Sequence, residues 1–358
     1  MSTTMKAARL FKIGDFRTVD VEIPQPAGEE LLVKIGSCGV CGSDLPRIYE
    51  HGTSSGIYPL TIGHEFSGEI VKVGDKADKN LIGKRGAFFP LIPCRKCDPC
   101  LSGHYPMCEH YDYMGSRRDG GFAEYILVPG SWHFIESTNK EVSFEALAMT
   151  EPACVAQHSV RKAEVFAGAN VLIYGAGPIG IMAGRWARIF GAAKVLLVDV
   201  VDGKVDFANE HGFDCINSRN GNFIENIKTY FNGRLADCAI EGTGFGSALE
   251  NAIYTVKPFG KITLLGNPAG DTQISLKAHS TILRKELEIR GMWNSHFSNT
   301  PINEWTYTVN MMDKGIFKCE DLISHRLTLE ELPSFIEKMK NKQVISCKVL
   351  YSSEAKKN

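Results

Sequence analysis

The sequence predicts a two-domain chain, an antiparallel β-rich domain followed by a doubly wound α/β domain. Three observations carry this. At 358 residues the chain is longer than one ordinary core can fill. Up to about residue 155 it consists of short strand-like runs separated by Gly and Pro. Beyond that, short apolar strands alternate with helical segments, and the first such junction reads Gly175-Ala176-Gly177-Pro178-Ile179-Gly180.

The first domain is expected over 1–155. Its strand-like runs are ELLVKIGSCGV, HEFSGEIVKVGD, KRGAFFPLIP and GFAEYILVPG. The character changes near Glu151, where SFEALAMTEPACVAQHSVRKAEVF reads as helical. The second domain is expected over 156–296. VLIY ends at Tyr174, the glycine turn opens the helix IGIMAGRWARIF, and KVLLVDV and the helical DGKVDFANEHG follow. CAIEGTG, KITLLGN and ELEIRGMW supply later strands, so the sheet should be parallel. The remainder, 297–358, carries a helix, a strand near LISHRL, another helix and the strand SCKVLY, and is expected to return to the first domain.

Composition narrows the function. A net charge of −1 gives no global basic field for nucleic acid or an anionic membrane. No apolar run has the length of a signal peptide or a bilayer span, so a cytoplasmic location is expected. Eleven cysteines, an odd number without a secretion signal, argue against a disulfide framework.

The turn 175–180 fits G-x-G-x-x-G in the right setting, after an apolar strand and before a helix. Gly175 permits the tight turn, Gly177 lets the backbone approach a pyrophosphate, and Gly180 allows close helix–strand packing. Pro178 and Ile179 open the helix, whose N-terminus presents free N–H groups to phosphate. Asp199 ends the next strand, where a carboxylate accepts hydrogen bonds from ribose hydroxyls and repels a 2′-phosphate. NAD is therefore expected over NADP. The competing account is a turn cluster with a helix-capping aspartate.

Cys94, Cys97, Cys100 and Cys108 supply four thiolates within one loop. Such spacing suits a tetrahedral zinc with every position filled, hence a structural site; disulfides or an iron–sulfur cluster are the alternatives. Other metal-ligand types are dispersed: Cys41 in CGVCGSD, His64 and Glu65 in GHEFSG, Glu151 in TEPAC. A Cys/His/carboxylate set with an open position would make a Lewis-acidic zinc. Spacing alone does not group them, because lone residues of these types usually have structural or solvent-facing roles.

Gly63-His64-Glu65-x2-Gly68-x5-Gly74 resembles the signature of zinc-dependent medium-chain alcohol dehydrogenases. With CGSD, the four-cysteine loop, the EP segment at Glu151 and GAGPIG, the resemblance covers essentially the whole chain and points to the polyol dehydrogenase branch. It implies a GroES-like catalytic domain with an inserted Rossmann dinucleotide-binding domain. It implies one structural and one catalytic zinc, the latter held by Cys41, His64 and Glu151, with Glu65 beside the metal and able to enter or leave its shell. Ser43 matches the hydroxyl that passes the substrate proton, and Glu65 is the candidate for the next acid–base step. Pro46 and Arg47 stand where many relatives have His-Tyr, so the usual relay histidine is missing, and nothing in the sequence makes His51 its substitute. Homodimers or homotetramers are usual for the family.

The expected reaction is NAD-dependent oxidation of a secondary alcohol of a sugar alcohol phosphate, with galactitol 1-phosphate and tagatose 6-phosphate the leading pair. An unphosphorylated polyol of the sorbitol type is the runner-up, and a non-catalytic nucleotide-binding protein on the same fold a distant third. Arg47, Arg117 and Arg118 are candidate phosphate contacts through charge-assisted hydrogen bonds. Asn294, with Ser295, replaces an Arg-Tyr pair of sorbitol-type relatives and joins the candidate substrate residues. Against this, the arginines could pair with Asp44, Asp112 or Asp119 and simply hold loops. Arg284-Lys285 reads as structural.

Overall fold

Strand Asn170–Tyr174 begins a six-stranded sheet that runs, from edge to edge, Asp214–Asn217, Lys194–Asp199, Asn170–Tyr174, Ala236–Glu241, Val256–Leu264 and Glu288–Gly291. Every neighbouring pair is parallel. In chain order this is 3-2-1-4-5-6, the doubly wound arrangement that the strand–helix alternation predicts. The strands are apolar on both faces because helices cover both: Leu172, Leu196 and Ala239 on one face, and Ile173, Leu197 and Ile240 on the other, are fully buried. These elements belong to a unit of residues 153–295 in the computed structural model, which describes residues 3–268, 270–298, 300 and 303–356.

The other unit comprises 1–152 and 296–358. Its main sheet runs Phe134–Glu136, Arg85–Phe88, Glu65–Val73, Leu31–Gly39, Lys348–Ser352 and Ile323–Leu327, with Tyr125–Val128 also paired to Leu31–Gly39. KRGAFFPLIP divides into Arg85–Phe88 and Leu91–Ile92 at Pro90, which has no N–H to give a ladder. The hairpin Thr4–Lys12 with Asp15–Glu22 packs as a separate small sheet. Pairing is antiparallel throughout the main sheet except between Ile323–Leu327 and Lys348–Ser352, which are parallel. That exception lies within segment 297–358, where helix Leu332–Lys340 stands between the two strands in sequence and supplies the crossover a parallel pair needs.

Three interactions bind segment 296–358 into this unit. Strand Lys348–Ser352 pairs with Leu31–Gly39. Asp313 accepts hydrogen bonds from Ser137 Oγ at 2.6 Å and from the Thr138 amide at 2.8 Å. Phe89 stacks on Phe297 at 4.4 Å between centroids and meets Trp305 edge-on at 5.2 Å, pairs worth about 0.5–1.5 kcal/mol each beyond their burial.

Candidate functional site

The four-cysteine loop closes on itself. Cys94 Sγ lies 4.0 Å from Cys100 Sγ and Cys97 Sγ 3.9 Å from Cys108 Sγ, and all four sulfurs fall within 4.8 Å of one another. These separations exclude disulfides and match the roughly 3.8 Å edge of a tetrahedron with Zn–S bonds of about 2.3 Å. Arg95 adopts φ +62°, turning the chain so that Cys94 and Cys97 face the same point. The Cys94 thiol is pulled down to about 6, chiefly by the Lys96 amide, whereas burial pushes Cys100 up to about 12. Four crowded thiols cannot all ionise without a cation, and the donor set fits zinc.

The second cluster is built by strand register. Gly39 pairs with Glu65 across the sheet, so Cys41, two residues past one strand end, sits beside His64 at the start of the other. Donor atoms of Cys41, His64 and Glu65 lie within 4.8 Å of one another. Glu151, on the first turn of helix Thr150–Lys162, stands outside this close group but is electrostatically coupled to its members. The structure thus gathers Glu65 more closely than Glu151. Burial, with Glu65 and Cys41 adding repulsion, pushes the Glu151 carboxyl up to about 8 even though His64 opposes the shift. Burial likewise pushes the Cys41 thiol up to about 11, and Ser43 donates a hydrogen bond to its sulfur. The Cys41 thiol and the Glu151 carboxyl, both with raised proton affinities, together with the His64 imidazole and the Glu65 carboxylate, make a donor set that fits a divalent cation.

Two further residues at this cluster have no place at the metal donors in the sequence pattern. Lys348 is buried and forms an ion pair with Glu65, while donating to Val40 O at 3.0 Å. Burial alone would lower its proton affinity, but Glu65, Cys41 and Glu151 raise it overall. Gly39 makes this pair possible: a Cβ there would stand 2.1 Å from Glu65 Oε2 and 2.9 Å from Lys348 Cε. A lone lysine opening an apolar terminal strand was the available signal, since lysine is almost never buried unpaired. The other is Asp44, which is fully buried. Its Oδ2 accepts the Cys41 amide at 3.0 Å, its Oδ1 accepts Arg47 Nη1 at 2.9 Å, and Oδ1 lies 3.7 Å from His64 Nδ1.

The candidate substrate residues separate. Arg47 is engaged by Asp44, and Arg118 Nε by Asp112 at 2.8 Å. Asp119 takes Arg9 instead. Arg117 has no carboxylate partner among the described residues and lies over the Tyr111 ring at 4.3 Å. Tyr111 meets Tyr113 at 6.2 Å, and Tyr113 meets the His64 ring at 5.8 Å, an aromatic row from the metal donors to Arg117. Asn294, at φ +57°, lies in the unit of 153–295, away in sequence from all four donors. His51 is three-quarters exposed, beside Glu50.

In the parallel sheet, Gly175 has φ +104° and begins the turn at the switch point between Asn170–Tyr174 and Ala236–Glu241. A Cβ on Gly180 would stand 1.9 Å from Gly175 O, whereas one on Gly177 would meet nothing within 4 Å. That open space faces the N-terminus of helix Pro178–Ile189, where a pyrophosphate fits. Asp199 is held by three amides: Ala176 at 2.9 Å, Val200 at 2.8 Å and Val201 at 3.1 Å. No helix among the described residues is long and apolar enough to cross a membrane.

Comparison with known proteins places both halves of the chain among dehydrogenases. Residues 27–137 match the alcohol dehydrogenase GroES-like domain, and residues 178–314 the zinc-binding dehydrogenase domain. Galactitol 1-phosphate 5-dehydrogenase of Escherichia coli K12 is 36% identical over 88% of this chain and 91% of its own. A crystal structure of galactitol-1-phosphate dehydrogenase from Escherichia coli superposes with a TM-score of 0.88 at 32% identity, covering 97% of this chain and 100% of that one. A Sinorhizobium meliloti 1021 protein of the zinc-binding dehydrogenase type, solved bound to NADP, gives 0.89 at 29%, covering 98% and 100%. Sorbitol dehydrogenase of Bacillus subtilis 168 is 29% identical over 93% of each chain. The chain belongs to the zinc-type medium-chain alcohol and polyol dehydrogenases.

Proposed function

We propose that this enzyme oxidises a secondary alcohol of a sugar alcohol phosphate with NAD, galactitol 1-phosphate to tagatose 6-phosphate being the leading pair. The alcohol loses a hydride to the nicotinamide and a proton to the protein, giving ketone and NADH. Cys41, His64 and a carboxylate of Glu65 or Glu151 would hold a zinc ion, which would supply Lewis acidity toward the substrate oxygen. Ser43, two residues past Cys41, relays the hydroxyl proton, giving up its own hydrogen as it accepts the substrate's, with Glu65 the candidate to take the proton onward. Lys348 holds Glu65, and Asp199 orients the ribose while repelling a 2′-phosphate, which supports NAD over NADP.

The observation that carries the phosphate is the row Tyr113–Tyr111–Arg117 leading away from His64. It ends on a guanidinium with no carboxylate partner among the described residues. The 36% identity to a galactitol 1-phosphate dehydrogenase supports the same class. Arg47, occupied by Asp44, yields this role to Arg117.

The test is a panel of galactitol 1-phosphate, galactitol and sorbitol, each with NAD and NADP, followed by reduced nicotinamide. Equal efficiency on the phosphorylated and free polyols would sink the phosphate. Arg117→Met should lower kcat/KM for the ester about tenfold to a hundredfold, the worth of a charged hydrogen bond of roughly 1.5–3 kcal/mol, mainly through KM. It should leave the free polyol unaffected.

A further inference from the structure

We propose that Arg47 is a positioning residue of the metal site, acting through Asp44 on His64 and Cys41 rather than on substrate. The inference rests on reading Cys41, His64 and Glu65 as metal donors.

One fully buried carboxylate serves three groups. Asp44 fixes the backbone of Cys41 through its amide, faces His64 Nδ1, and lies one helical turn from Arg47, which it binds at i, i+3. His64 Nδ1 is itself buried without a hydrogen-bond partner. At 3.7 Å from Asp44 Oδ1 it is beyond hydrogen-bond reach, and the oxygen it faces is the one Arg47 holds. Arg47 therefore sets where that oxygen stands and is the counter-charge that Asp44 meets in the interior. Lys348, the other buried cation of the cluster, is committed to Glu65.

Removing the guanidinium leaves Asp44 with an uncompensated buried charge. Its Oδ1, no longer held, is then free to turn onto His64, which changes the tilt of the imidazole and the seat of Cys41. Partners behind metal ligands typically govern about 10–100-fold in metal affinity. Arg47 is exposed over only 15% of its side chain, consistent with a fixed strut.

The experiment is zinc release to a competing chelator from the full-length enzyme, comparing the parent with R47M, R47K, D44N and D44N/R47M. The four-cysteine loop serves as an internal reference. The parent should carry two zinc ions per chain. In R47M one should be released with about 10–100-fold weaker affinity and the other unchanged, with R47K close to the parent. D44N should weaken the same ion, and D44N/R47M should be no worse than D44N, because the two act in series. If R47M fails to fold, that last comparison decides, since the double variant buries no unpaired charge. Cobalt loaded into the weakened site should show shifted visible bands in R47M.

Unchanged zinc affinity in R47M with a raised KM for phosphorylated polyols alone would overturn the proposal and return Arg47 to the substrate. Additive losses in D44N/R47M would overturn it too. A parent that binds only one zinc would instead overturn the metal-site reading on which the proposal rests.

Discussion

Replacing Lys348 with Met probes the least exposed charge pair of the site. The Lys348 side chain is 5% exposed and that of Glu65 2%, so solvent screens neither. Truncation strands the Glu65 carboxylate between Cys41 and Glu151, both acidic, and leaves Val40 O without its donor. Breaking a buried pair by removing one partner costs about 3–5 kcal/mol. For a unit of this size that corresponds to roughly 6–20 °C in Tm. Removing both charges with Glu65→Gln and Lys348→Met should recover most of the loss, because the penalty lies in the orphaned carboxylate. Zinc offers that carboxylate another cation, so the single variant's deficit should be largest in excess chelator and shrink when zinc is restored. Thermal unfolding of the parent, single and double variants in both conditions reads this directly. A metal-free single variant as stable as the parent would refute the reasoning, as would a double variant no better than the single.

Two further outcomes follow from other parts of the chain. His133 is buried with Nδ1 donating to Phe89 O at 2.9 Å, and burial holds its proton affinity down at about 4. The folded imidazole stays neutral while the unfolded one protonates below about 6.5. Its contribution, on the order of 3 kcal/mol, is therefore complete above that pH and is lost as the pH falls toward 4. In urea titrations across this range His133→Gln should flatten the slope; a slope equal to the parent's would remove the imidazole from the account. Strand Glu288–Gly291 is an open edge, and the preceding helix exposes Leu276 and Leu283, which share one face. Assignment of this edge to a second copy of the chain predicts that light scattering gives a dimer or tetramer and that Leu283→Glu shifts it toward monomer. A monomeric parent at micromolar concentration would end that assignment.

The legible and illegible parts of the site divide by range. Cys94 to Cys108 and Gly175 to Asp199 each lie within a short stretch, so spacing and residue type alone bring their chemistry together. Glu65 and Lys348 are 283 positions apart and meet only because Gly39 lies between their strands in the sheet. No local pattern encodes that meeting. Arg47 shows a third situation. Its guanidinium suggested an anion, and the anion beside it is Asp44, three residues earlier, a pairing the sequence offered as an alternative without choosing it.

The sequence by itself determined the fold class, the doubly wound sheet with its dinucleotide turn, and the four-cysteine loop, because each rests on periodicity or short spacing that the backbone must obey. Only the tertiary structure decided which carboxylate stands closest to Cys41 and His64, that a buried lysine balances Glu65, and that Arg117 rather than Arg47 keeps a guanidinium without a carboxylate partner among the described residues. Those outcomes depend on cross-strand register and on which charges burial forces together, and a buried charge accepts whatever partner the fold brings within reach.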